Sequence, residues 1–504
     1  MQTNLGAVVG KHEGAALAFL GIPFAEAPVD SLRWRPPVPV EPWEMPREAK
    51  RFPPPCLQID RKTHEVIGAE DCLYLNVWRP AAPGTSGPLP VIVFIHGGGN
   101  IQGSTSVERS GVRLYDGAKL AVRGDVVVVT LQYRLGPFGY LTLPSLDEES
   151  KTGTSGNWAL MDQMLALRWV HDNIAAFSGD PHRVLLFGES GGATDVCALL
   201  ASPLAAGLFD AAIIQSGGCT AKPQSRMVAW SKEIAEGAHC ADAADPLQCL
   251  RGRPGEQLLR AANLLTTDKG DIVGRGGPTI DGYVLADHPV KVFARGDYSG
   301  VPVIIGVNAQ ETASPRFGIP WRLTADQYRN IIEQRFPATY LQILKLYPAA
   351  DYSLPHNALV AVTTDRQFVC PARLYAHALA RGQSEPVYRY LYTHKMSGAS
   401  RFDLTLLGAA HGFELLYIFQ HVEDFTHYTP TPEDARVEKL ILELWISMAR
   451  TGRPSSEYAP AWPTYDLRTD PYLVIAASPA VKEGLRIEKC NFWRTTYGRR
   501  RHPH

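Results

Sequence analysis

Residues Gly188-Glu189-Ser190-Gly191-Gly192 set a serine among glycines in a G-x-S-x-G pattern. An apolar run over 184–187 precedes it and a stretch of small residues follows. That context predicts a strand, a sharp turn and a helix, with the Ser190 hydroxyl presented at the strand's end. Side chains at Gly188 and Gly192 would collide with neighbouring backbone there, and a helix N-terminus beneath the turn favours developing negative charge. Such a serine is a candidate nucleophile. A second glycine cluster, His96-Gly97-Gly98-Gly99, follows the apolar run 91–95. Without side chains in the way, its N–H groups can approach a ligand oxygen. We expect amides of this cluster, completed by the N–H of Gly191, to bind an oxyanion. The chain has no G-x-x-x-x-G-K-[ST] or G-x-G-x-x-G motif for phosphate, and no H-E-x-x-H or clustered Cys/His ligands for a metal. No cofactor is expected.

A serine nucleophile needs a base and an acid to orient it. Glu311 lies just past the β-rich run 302–307. His411 stands in Gly408-Ala409-Ala410-His411-Gly412-Phe413, where small neighbours let an imidazole project from a loop. His394, after the run 387–392, competes for the base role on position alone. An unperturbed imidazole would make activity fall as pH drops through roughly 6–7. Glu189 puts a carboxylate beside the serine, either to tune a bound cation or as a structural hydrogen-bond partner.

Elements must hold these residues in place. Runs at 91–95, 125–133, 183–187, 212–215, 302–307 and 387–392 read as buried strands. Residues 157–174 and 433–450 read as amphipathic helices, the second stopped by Gly452 and Pro454. The alternation predicts an α/β fold with a mostly parallel sheet and helices on its faces. Regions 34–70, 218–300 and 308–385 are weakly patterned and read as insertions around a site, so 1–504 is expected to be a single domain. With 50 basic and 51 acidic residues among 504, net charge −1, there is no electrostatic footprint for nucleic acid. The basic end 498–504 reads as a frayed terminus. No apolar run is long enough to cross a bilayer, and the apolar stretch 15–24 reads as strand and turn rather than a targeting segment.

These blocks together resemble the type-B carboxylesterases, the family of cholinesterases and bacterial p-nitrobenzyl esterases. The resemblance runs from Gly21-Ile22-Pro23-Phe24-Ala25 to Cys490-Asn491-Phe492-Trp493, through Glu70-Asp71-Cys72-Leu73-Tyr74-Leu75-Asn76-Val77, His96–Gly99, Tyr133-Arg134-Leu135-Gly136-Pro137-Phe138-Gly139 and Gly188–Gly192. It implies an α/β-hydrolase fold with a large central sheet. It implies a serine esterase acting through an acyl-enzyme, with Ser190 as nucleophile, Glu311 as triad acid, His411 as base, and Gly98, Gly99 and Gly191 as oxyanion donors. It also implies bridges Cys56–Cys72, Cys240–Cys249 and Cys370–Cys490, leaving Cys197 and Cys219 free, and ion pairs Arg33–Glu70 and Arg134–Asp180. Three bridges point to an oxidising compartment, the lack of a targeting segment to the cytoplasm.

The chain departs from the family pattern at Gly191, where Ala is common, and at Thr312, where Gly is common. Asn100 replaces an aromatic residue after the three glycines and sets a polar group at the oxyanion rim, in reach of substrate or loop backbone. The segment between Cys56 and Cys72 lacks the aromatic residue that cholinesterases use against quaternary ammonium, and Gly274-Arg275-Gly276-Gly277 is small where bulky residues would narrow an acyl pocket. Neutral or bulky small-molecule esters are therefore expected rather than choline esters. The same triad would also serve an acyltransferase, lactonase or amidase. A non-catalytic adhesion or scaffold domain is disfavoured because all three triad positions are filled.

Overall fold

The computed structural model describes residues 1–499 other than 85, 86, 110, 269, 270 and 402, so the basic end beyond 499 lies outside the described residues. Eleven strands form the main sheet. In chain order they are β1 (Lys11–Glu13), β2 (Ala16–Pro23), β3 (Tyr74–Pro80), β4 (Leu89–Ile95), β5 (Val127–Leu131) and β6 (Gly179–Glu189). Then follow β7 (Ala211–Gln215), β8 (Val303–Asn308), β9 (Val387–Tyr392), β10 (Pro471–Ile475) and β11 (Ala480–Glu483). Across the sheet the order is β1-β2-β3-β5-β4-β6-β7-β8-β9-β10-β11. The seven strands from β5 to β10 pair in parallel, and the edges are antiparallel.

A parallel sheet covered on both faces needs apolar residues at every position rather than at alternate ones. That is the pattern seen: every residue of β4, β5, β7, β8 and β9 is buried. The stretch read as strand and turn is β2, where Gly21 takes φ 79° at a register shift between Leu20 and Ile22. A glycine suits this positive φ at a bulge.

Helices α1 (Trp158–Asn173), α2 (Gly191–Ala201), α3 (Cys370–Gly382), α4 (Pro432–Thr451) and α5 (Ile487–Arg499) are the ones the site depends on. The amphipathic patterns locate α1 and α4 to within two residues at each end. Helix α4 begins with a reciprocal cap between Thr431 and Asp434 and ends at Gly452, φ 67°. Helix α3 falls inside the region read as weakly patterned.

Two expectations need correction. Arg134 pairs with Asp162 on α1 at 2.6 Å, not with Asp180, which instead holds Arg183 at 2.7 Å. Asp162 also accepts from the Arg134 backbone N–H at 3.0 Å, so the buried carboxylate meets both ends of one residue. Cys197 and Cys219 are bridged rather than free, with Cα atoms 5.3 Å apart. The reason is topological: α2 leaves β6 and packs beside β7, the neighbouring parallel strand, whose exit carries Cys219. The other three bridges pair as the resemblance implied, at Cα separations of 5.0, 5.6 and 4.9 Å. The Arg33–Glu70 pair is present too, with Arg33 Nε donating at 2.7 Å. No helix among the described residues is long and apolar enough to cross a membrane.

Candidate active site

Ser190 sits between β6 and α2 at φ 57° and ψ −119°, a strained backbone for a non-glycine residue. The flanking glycines make the turn feasible. A Cβ on Gly188 would lie 2.5 Å from the Gly192 carbonyl carbon, and one on Gly192 would lie 2.1 Å from Ile95 O. The Ser190 N–H donates to Gln215 O on β7 at 2.9 Å, tying the turn to the next strand.

The loop after β4 closes over this turn. Gly98 and Gly99 take φ 118° and 67°, and a Cβ on Gly191 would lie 2.7 Å from Gly99 N. The loop thus packs directly against position 191, with no room there for a side chain. Buried His96 at the loop's start is held neutral: burial pulls its pKa down to about 4, outweighing its bond to Gly97 O.

Asn100 turns its side chain inward from the oxyanion loop. It has φ 61° and is buried, and its amide donates to Asp195 Oδ1 on α2 at 2.7 Å. Gln163 on α1 donates to the other Asp195 oxygen at 2.7 Å. Burial raises the Asp195 pKa to about 7, against these hydrogen bonds. The departures from the family pattern are thus coupled. Asn100 pins the oxyanion loop to α2, and its Oδ1 would lie only 3.0 Å from a Cβ at position 191, where the chain has glycine.

Glu311 begins a one-turn helix just after β8, and His411 lies in the loop between β9 and α4. His411 Nδ1 meets Glu311 Oε2 at 2.6 Å, and Glu311 Oε1 accepts from Asn308 N at 2.7 Å. The rings of Phe317 and Phe368 lie 5.5 and 5.1 Å from the imidazole. Thr312 is buried, its hydroxyl 2.6 Å from that of Thr363. His394 is elsewhere, with Nε2 2.7 Å from Asp434 at the start of α4.

The other imidazole nitrogen shows an arrangement the sequence did not reveal. His411 Nε2 lies 3.0 Å from Glu189 Oε1, an ion pair when the imidazole is protonated. Among the described residues the Ser190 hydroxyl makes no hydrogen bond to this nitrogen. Burial alone would lower the His411 pKa, but the carboxylates of Glu189 and Glu311 outweigh it and raise it to about 9. A third carboxyl, Glu414, is buried and takes hydrogen bonds from Asn308 and Gln215. Burial, then the charges of Glu189 and Glu311, push its pKa up to about 8, so it is protonated at neutral pH. Glu414 follows His411 by three residues, and that spacing was the only signal available for it.

An apolar cavity bounded by Trp34, Pro37, Met161 and Leu165 lies apart and contains none of these residues. No group of acidic, His or Cys side chains suited to a metal occurs among the described residues.

The carboxylesterase family model matches residues 1–493. Fumonisin B1 esterase of Sphingopyxis macrogoltabida is 37% identical over 96% of this chain and 88% of its own length. Carboxylesterase 1C of Rattus norvegicus is 33% identical over 98% of this chain and 92% of its own. A solved PNB esterase superposes with a TM-score of 0.81 at 33% identity, covering 98% of this chain and 99% of the other. The chain belongs to the carboxylesterase family and is a carboxylic-ester hydrolase with the α/β-hydrolase fold.

Proposed function

We propose that the chain hydrolyses esters by two-step acyl transfer, with Ser190 as nucleophile, His411 as base and Glu311 as the acid that orients it. The observation that carries this reading is the 2.6 Å Glu311–His411 contact beside a strained serine turn. In the first step Ser190 Oγ bonds to the ester carbonyl carbon while His411 Nε2 takes its proton. The oxyanion is held by the amides of Gly98, Gly99 and Gly191; one such donor is typically worth about 3 kcal/mol. The carbon–alkoxide bond then breaks, and the alcohol leaves with the proton from His411. Water repeats the attack on the acyl-enzyme and regenerates Ser190. Before the first step the imidazole must be neutral and turned from Glu189 toward Ser190, a tightening common on substrate binding.

The lack of an aromatic residue between Cys56 and Cys72 argues against choline esters. The test is Ser190→Ala. It should abolish turnover of a p-nitrophenyl ester and covalent labelling by an organophosphate, with the circular-dichroism spectrum unchanged. Labelling that persists at another serine would overturn the assignment.

A further inference from the structure

The oxyanion side of the site holds a cation that the acyl-transfer steps do not use. After β7 the chain passes over the serine turn, where a Cβ on Gly217 would come within 2.8 Å of Ser190 O, and reaches Lys222. The strand Lys222–Pro223 pairs with Thr279–Ile280, and Lys222 N donates to Pro278 O at 2.8 Å. This pairing runs the lysine side chain back along Gly277 and Gly276. Its ammonium donates to the Gly276 carbonyl. A Cβ on Gly277 would lie 3.0 Å from Lys222 Nζ and 3.8 Å from Asn100 Nδ2. The ammonium therefore lies beside the residue that follows the oxyanion glycines.

Among the described residues no carboxylate forms an ion pair with Lys222. Asp195 and Arg226 act on it only through charge, with opposite signs. Burial first, then Arg226, lower its pKa to about 8, so it carries its proton at neutral pH. An ammonium has three donors, and among the described residues one acceptor, Gly276 O, meets it. A part-buried cation with donors to spare is stabilised by an incoming anion.

A second observation points the same way. Arg61, between Cys56 and Cys72, lies within charge reach of Arg316. Arg316 sits over the Phe317 ring at 5.3 Å, and that ring meets His411 at 5.5 Å. Neither guanidinium has an acidic partner among the described residues. Arg316 is thus one ring away from His411, and like charges set together raise the local concentration of anions.

We propose that the preferred substrates are esters that carry a free carboxylate, and that Lys222 is the specificity-determining residue that receives it. This rests on the esterase reading above. The shared chemistry is the carboxylate, on either the acyl or the alcohol side of the ester.

The experiment compares kcat/KM for three esters at pH 7. They are neutral p-nitrophenyl valerate, p-nitrophenyl hydrogen glutarate with its carboxylate on the acyl side, and 4-(valeryloxy)benzoate with its carboxylate on the alcohol side. At least one anionic ester should exceed the neutral one by about tenfold, the scale of one buried charge-assisted contact. The ester that does so identifies the side. Lys222→Met should bring that ratio towards one, and Lys222→Arg should keep most of it. If both anionic esters are slower than valerate, or if Lys222→Met lowers all three rates by the same factor, the proposal is overturned and the lysine merely props the Gly276 loop. Hydrolysis of valerate without charge preference overturns this proposal alone. If none of the three is hydrolysed, the esterase reading falls and this proposal with it.

Discussion

Glu189 gives the imidazole a second carboxylate, and the consequence is a displaced pH profile. In the proposed mechanism His411 acts as a base only when neutral. Its pKa of about 9 is raised by Glu189 and Glu311 against burial, so the free enzyme holds much of it as imidazolium at pH 7. The acid limb of kcat/KM should therefore lie well above the 6–7 of an ordinary imidazole, with activity still rising between pH 7 and 9. Glu189→Gln removes the charge at 3.0 Å and should move that limb down by about one unit or more. A limb that stays put in the variant would mean that Glu189 does not govern the base. His394→Ala should leave kcat within about threefold, because His394 is bound to Asp434 and not to the site. The serine turn was legible because its motif is local, whereas Glu311 and His411 came from the family resemblance, position alone leaving His394 in competition. Glu414, Asn308 and the Glu189 contact were not, because each depends on the loop after β9 folding back against the ends of β6 and β8.

At the scale of elements, the start of α4 is held by one carboxylate. Asp434 caps the helix through Thr431 and accepts from His394, Tyr417 and Tyr428. Burial would raise its pKa, but these hydrogen bonds outweigh that and hold it well below the ordinary range. A carboxyl depressed on folding adds stability that is complete above its unfolded pKa, about 4, and is lost as pH falls below it. Asp434→Ala should destabilise the protein by on the order of 3 kcal/mol, from the lost cap and from buried donors left without partners. Denaturant unfolding at pH 7 measures the loss, and the gap between variant and wild type should narrow at pH 3. The sequence located α4 because its apolar spacing and its stop signal agree. It missed α3 because that helix follows directly on the short helical segments 355–369 and no break marks its start. It assigned Arg134 to Asp180 because the resemblance paired the motifs, while Asp162 on α1 passes beneath the arginine and takes its backbone N–H as well.

At the scale of the molecule, the four bridges differ in how much chain they close. Cys370–Cys490 spans 120 residues and Cys240–Cys249 spans nine. Loop-closure entropy then assigns about 5 kcal/mol to the first and about 2.5 kcal/mol to the second. Protein matured under oxidising conditions should show no free thiol after denaturation, where the sequence expected two, because Cys197–Cys219 is also closed. The order of stability should be wild type, then Cys240→Ser/Cys249→Ser, then Cys370→Ser/Cys490→Ser, read from denaturant midpoints. The long bridge also reaches the site. It ties α5 to the first residue of α3, two residues beyond Phe368, whose ring lies 5.1 Å from His411. Opening it frees the aromatic wall beside the base as well as the terminal helix. The Cys370→Ser/Cys490→Ser enzyme should therefore lose activity at denaturant concentrations below its own unfolding midpoint, whereas the Cys240→Ser/Cys249→Ser enzyme should lose activity only as it unfolds. Coincident loss in both variants would mean that the bridge contributes to stability alone.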